Sequence, residues 1–132
     1  MHYVELSDKA NIHKTYAEQG YVIVPNLISK EKIDSFIDGY ERLKKKKFYI
    51  IRAQDTNRPE KLEVNSYGFI EHSIWNPHYH VMAKGFSEGV YNIITDKGIS
   101  DVLAAISDEP KHTIWQSMFF DRSTGTVAHQ DH

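Results

Sequence analysis

Cysteine is absent from these 132 residues, and with it go disulfides, thiolate zinc sites and cysteine nucleophiles. Any metal held by this chain must be held by histidine and carboxylate. Long apolar runs are missing as well: the longest aliphatic stretches, such as Val22-Ile23-Val24, fall far short of a membrane span. The opening residues lack the apolar centre of a secretory signal. Together these absences predict a soluble, cytoplasmic protein with no membrane partner. Nor is there an excess of charge of one sign. The formal net charge is -2, which argues against a broad nucleic-acid or membrane surface. Internal repeats, low-complexity tracts and Gly/Ser linkers are lacking, so residues 1–132 read as a single domain.

What is present is a chain that can bury a core, with 40% hydrophobic residues and eight tyrosines. The segment from Ser7 to Gly20 predicts a short helix. Ser7 or Asp8 can cap it, Ile12 and Tyr16 lie one turn apart, and Gly20 is placed to end it. Residues 21–25 (YVIVP) predict a strand closed by Pro25. The next helix has the clearest pattern. Ser29 is the cap, Ile28 and Ile33 occupy staple positions, and Ile33, Phe36, Ile37, Tyr40 and Leu43 recur at helical spacing. The run Lys44 to Lys47 closes it, as a solvated end that complements the helix dipole or as a phosphate-binding site.

Beyond it, residues 48–51 (FYII) can form a strand, and residues 54–61 (QDTNRPEK) predict a loop. Phe86, Val90, Ile93 and Ile94 mark one helix, and Ile99, Val102, Leu103 and Ile106 another. A turn at residues 96–98 separates them, and the expectation is a packed helical pair. Residues 113–121 (TIWQSMFFD) predict a strand, residues 122–126 a turn, and residues 127–132 (VAHQDH) a second strand. In the first strand Ile114, Gln116, Met118 and Phe120 share one face, and Trp115, Ser117, Phe119 and Asp121 the other.

If residues 127–132 are extended, His129 and Asp131 project from one face, about 6.5–7 Å apart at their Cα atoms. Imidazole and carboxylate spaced in this way are two members of a 2-His-1-carboxylate triad, the iron site that leaves one face open for substrate and oxygen. The bland alternative is a strand end carrying ordinary polar residues. The stretch YAEQGYVIVPNLISKEKIDSFID resembles the opening of the phytanoyl-CoA dioxygenase family. SMFFDRSTGTVAHQDH is similar to that family's approach to its iron site, and HQD is the form its first two ligands take.

The resemblance implies an α+β fold in which N-terminal helices pack on the first strands of a double-stranded β-helix, or jelly roll. It implies Fe(II), 2-oxoglutarate and O2, with decarboxylation of 2-oxoglutarate coupled to hydroxylation of a C–H bond in a small-molecule or acyl substrate. By position His129 and Asp131 match the iron ligands. Gln116 matches a place where a polar residue lies near 2-oxoglutarate, or else is an edge-strand side chain. The third family ligand, a later His, and the Arg that follows it have no counterpart here. His72, His78, His80 and His112 are candidates by residue type, each read first as a structural residue, while His132, three residues from His129, suits helical spacing and conflicts with the strand reading.

The chain is therefore expected to be the N-terminal part of a longer oxygenase domain, with an incomplete jelly roll whose uncovered sheet is open to self-association. Two alternatives remain: a non-catalytic α+β binding or dimerisation module, and a metal site completed across a symmetric dimer.

Overall fold

The structure is a computed structural model that describes residues 3–53 and 56–122. It is a mixed α+β arrangement of four helices and two small antiparallel sheets among the described residues. Helix α1 (Lys9–Gln19) begins where Asp8 accepts a hydrogen bond from the Asn11 amide. It ends at Gly20, whose left-handed backbone (φ 75°) lets its N–H reach the Tyr16 carbonyl. Helix α2 (Lys30–Lys44) is capped as expected, with Ser29 Oγ accepting from the Lys32 amide.

One face of α2 is buried, but it is narrower than the apolar pattern. Phe36, Gly39, Tyr40 and Leu43 face inward, whereas Ile33 and Ile37 are 41% and 46% exposed. The expected strand at residues 21–25 does not form. Only Ile23 bridges, in parallel, to Tyr3, with the Val4 amide donating to the Ile23 carbonyl at 2.9 Å. Val22 and Val24 instead pack with Val4, Ile12 and Ala105, so the β-branched residues serve a helix-lined core.

Strands β1 (Ile50–Arg52) and β2 (Pro59–Lys61) form an antiparallel hairpin in which Ile50 faces Lys61 and Arg52 faces Pro59. The loop expected over residues 54–61 is thus a strand in its second half. Pro59 is tolerated because it lies at the first position of its strand. Strand β3 (Ile74–Trp75) leads through two short 3-10 turns, Pro77–Tyr79 and Val81–Ala83, into α3 (Lys84–Ile94). Helix α4 (Lys97–Ser107) follows, capped by Asp96, which accepts from the Gly98 amide at 2.7 Å. Strand β4 (Met118–Phe119) closes the described chain against β3.

The two consecutive helices are not each other's main partners, contrary to the expectation of a packed pair. Helix α3 lies along α2, and α4 lies along α1. Glycine decides the contact between α2 and α3. A Cβ at Gly89 would sit 2.8 Å from the Phe36 Cα, and one at Gly39 within 2.6 Å of the Gly85 carbonyl carbon. Backbones this close are available only to residues without a side chain, and they bring Phe86 against Phe36 at a ring separation of 5.8 Å.

The main core gathers Leu43, Tyr49, Ile51, Leu62, Ile70, Ile74, Phe86 and Val90. Each large aliphatic or aromatic side chain buried there contributes roughly 1.5–3 kcal/mol of transfer free energy. The second core is smaller, centred on Val4, Ile12 and Ala105. An ion pair between Lys32 of α2 and Asp96 at the head of α4 ties the two together.

Candidate active site

The expected nine-residue strand over residues 113–121 is regular only at β4. Register explains the shortening. Ile74 faces Phe119 and Trp75 faces Met118, and the ladder then ends at Asn76, which turns away in a left-handed conformation (φ 46°). Asn76 still holds the next residue of the ribbon. Its amide donates to the Ser117 carbonyl at 2.8 Å, and its side-chain oxygen accepts from the Ser117 amide at 3.0 Å. Thr113–Gln116 have no such partner strand among the described residues, so no ladder forms there.

The alternation along the ribbon survives. Ser117, Phe119 and Asp121 are half-buried, while Gln116, Met118 and Phe120 face outward. Phe119 enters the aromatic cluster of Phe36, Tyr40 and Phe86, with centroid separations between 5.3 and 5.8 Å. Asp121 then accepts two hydrogen bonds, from the Tyr40 hydroxyl and from the Ile70 amide. Burial raises the Tyr40 phenol above its ordinary range, and the Asp121 carboxylate raises it further. Arg122 pairs with Glu71 at 3.1 Å. Two successive residues are thereby fastened to the neighbours Ile70 and Glu71, seven to eight positions before His129 in the sequence.

The histidines are placed as follows. His80 has both ring nitrogens engaged: Nε2 lies 3.1 Å from the Trp75 carbonyl and Nδ1 3.0 Å from the Tyr49 hydroxyl. A carbonyl can only accept, so the proton sits on Nε2, and Nδ1 accepts from Tyr49. His78 Nδ1 is 2.6 Å from Ser117 Oγ. Burial lowers the His78 pKa, and the neighbouring His80 lowers it further. His112 is exposed and meets Ser107 Oγ at 2.9 Å. His72 is half-buried ahead of β3. Among the described residues no group of three or more His, Asp or Glu is placed to hold a metal ion. His129, Asp131 and His132 lie outside the described residues.

Gln116 is exposed on the ribbon just before β4. It lines an open concavity of about 640 Å³ with Ile94, Thr113, Ile114, Trp115, Ser117 and Met118, so its amide stands in a mixed polar and apolar setting. Asp121 and Asn76 were not singled out from the sequence as site-forming residues. The Asn-Pro step at residues 76–77 is a turn signal that could have found Asn76, whereas nothing local marks Asp121, whose partners are 51 and 81 residues away.

The fold is α+β, and β4 is the last described strand before the His-x-Asp pair in the sequence. The family model of phytanoyl-CoA dioxygenase (PhyH) matches residues 16–132. The chain belongs to this family, which is one of oxygenase-type enzymes. No curated protein and no solved structure matches it. No helix among the described residues is long and apolar enough to cross a membrane.

Proposed function

We propose that this chain is part of an Fe(II)- and 2-oxoglutarate-dependent dioxygenase that hydroxylates a small molecule or acyl derivative. In this reading His129 and Asp131 supply two protein ligands to the iron, and Gln116 lies beside the 2-oxoglutarate. The helices described here then pack on the first strands of a double-stranded β-helix. The observation that supports the reading is the family match, whose span, residues 16–132, includes His129 and Asp131. The donor chemistry fits: one imidazole and one carboxylate, in a sequence without thiolates, suit ferrous iron.

When bound, the iron with 2-oxoglutarate and O2 supplies the oxidising power for C–H hydroxylation. The chain's own part is positional. Asp121 and Arg122 fasten the ribbon that leads to the ligands. The Gln116 amide can donate to a carboxylate oxygen, and Ile114, Trp115 and Met118 offer apolar surface that keeps water from a bound co-substrate. The second His of such a site is assigned to no residue of this sequence.

The test is anaerobic calorimetry with ferrous iron, with and without 2-oxoglutarate, on the chain and on the His129→Ala/Asp131→Ala double variant. Iron affinity that 2-oxoglutarate strengthens and the double variant loses is the expected result. Identical titrations for the two proteins would rule out the ligand assignment.

A second reading, self-association through the ribbon, is favoured by one observation. Trp115 is 91% exposed, and Ile114, Met118 and Phe120 are exposed beside it. Sedimentation equilibrium on the chain and on Trp115→Ser tests it, with a concentration-dependent mass in the first and a monomer in the second.

A further inference from the structure

The net charge of -2 conceals a strong segregation. Residues 42–52 carry six cations and no acid, while the rest of the chain carries ten cations against eighteen acids. The fold concentrates this further. Lys44, Lys46 and Lys47, at the end of α2, share an open concavity of about 500 Å³ with Lys61 of strand β2 and the ring of Phe48. Lys44 is neutralised by Glu41 at 2.8 Å, and Glu63 is the acid in the concavity. Among the described residues, Lys46, Lys47 and Lys61 pair with no carboxylate. Lys46 donates to the uncharged Met82 carbonyl at 2.7 Å.

The apolar residues at this place are turned the wrong way for a core. Alternation along residues 48–52 buries Tyr49 and Ile51 and drives Phe48 and Ile50 outward, 91% and 66% exposed. Ile50 lies directly across the hairpin from Lys61. A phenylalanine among these lysines and an isoleucine opposite Lys61, both held in water, are costly on a free surface. They are favourable where an anionic layer covers an apolar one.

We propose that the β1–β2 hairpin and the end of α2 form a docking surface for an anionic lipid bilayer, with Lys46, Lys47 and Lys61 at the headgroups and Phe48 and Ile50 inserted between them. Charge complementarity and the two outward apolar side chains together select this partner. The low overall charge that argued from the sequence against a membrane partner is an average over two unlike ends. A nucleic acid would use the lysines and leave Ile50 without a role, since an aliphatic side chain offers no stacking plane.

The experiment is co-sedimentation of the 132-residue chain with phosphatidylcholine vesicles, with and without phosphatidylserine. Pelleting that requires phosphatidylserine and is lost at high salt is expected. Lys46→Glu/Lys47→Glu/Lys61→Glu should abolish it. Each single Lys→Gln change should weaken it by about fivefold, from the contribution of one basic residue near a charged bilayer. Phe48→Ser, which leaves the charge untouched, should also weaken it. All four side chains are exposed, and circular dichroism of each variant checks that the fold is kept.

The proposal is overturned if the wild-type chain does not distinguish the two vesicles, or if the triple variant or Phe48→Ser pellets like wild type. It is equally overturned if a single-stranded oligonucleotide displaces the chain from the vesicles while binding it more tightly.

Discussion

The hydroxyl of Tyr40, in the middle of α2, donates to the carboxylate of Asp121, two residues past β4, and the same carboxylate oxygen takes the Ile70 amide. One acid thus joins the main helix, the chain before β3 and the ribbon that leads to the His-x-Asp pair. Tyr40→Phe removes one of its two donors and should cost about 1.5–3 kcal/mol in urea denaturation, as a hydrogen bond to a charged acceptor does. Asp121→Ala should cost more, because it also leaves the Ile70 amide without its partner.

The raised Tyr40 pKa carries a pH dependence of definite sign. The folded value lies above the unfolded one, so this contribution to stability is complete below the unfolded tyrosine value of about 10 and is lost as pH rises beyond it. Denaturation curves recorded on the alkaline side should show a falling midpoint, and Tyr40→Phe should flatten that fall. An unchanged slope in the variant would mean that other groups cause it.

His78 acts at the opposite end of the scale. Its folded pKa is lowered by burial and by His80, so the unfolded chain takes up a proton first as pH falls through about 6.5. Stability from this group is complete above that value and declines below it. Melting temperatures measured from neutral to mildly acid pH should fall, and less steeply for His78→Asn.

His80 should be a structural residue in any assay. His80→Ala leaves the hydroxyl of the buried Tyr49 and the Trp75 carbonyl without the ring that now links them. A loss of about 2 kcal/mol is expected. Ferrous iron titrations of His80→Ala should match those of the wild-type chain.

Gly39→Ala and Gly89→Ala test the contact between α2 and α3. In an isolated helix each change would be stabilising, since alanine is the better helix former by about 1 kcal/mol. Here the added Cβ meets backbone of the facing helix, at 2.8 Å for Gly89 against the Phe36 Cα. Overpacking of this kind should outweigh the propensity gain and leave each variant less stable by about 1–3 kcal/mol.

What could be read along the chain was whatever depends on near neighbours. The caps at Asp8, Ser29 and Gly20, and the helices they bound, follow from side chains within four residues reaching backbone groups. The expected strand at residues 21–25 fails for the complementary reason. A strand needs a neighbour, and among the described residues only the single bridge to Tyr3 is offered. The ribbon at residues 113–121 is cut to Met118–Phe119 because Asn76, 41 residues from Ser117, ends its partner. Helix α3 has no side-chain cap. Its place was legible only from the spacing of Phe86, Val90, Ile93 and Ile94.

By itself, then, the sequence determined the helices, the α+β class, the absence of thiol chemistry and the spacing of His129 and Asp131, together with the family to which these belong. Only the tertiary structure decided how α3 lies on α2, through the bare backbones of Gly39, Gly85 and Gly89. It alone joined Tyr40 and Ile70 to Asp121, and brought Lys61 beside Lys46, Lys47 and Phe48. The reason is physical. Hydrogen-bonded caps and apolar periodicity act over a few residues, whereas close approach, burial and local charge density arise from residues that are distant along the chain and adjacent in space.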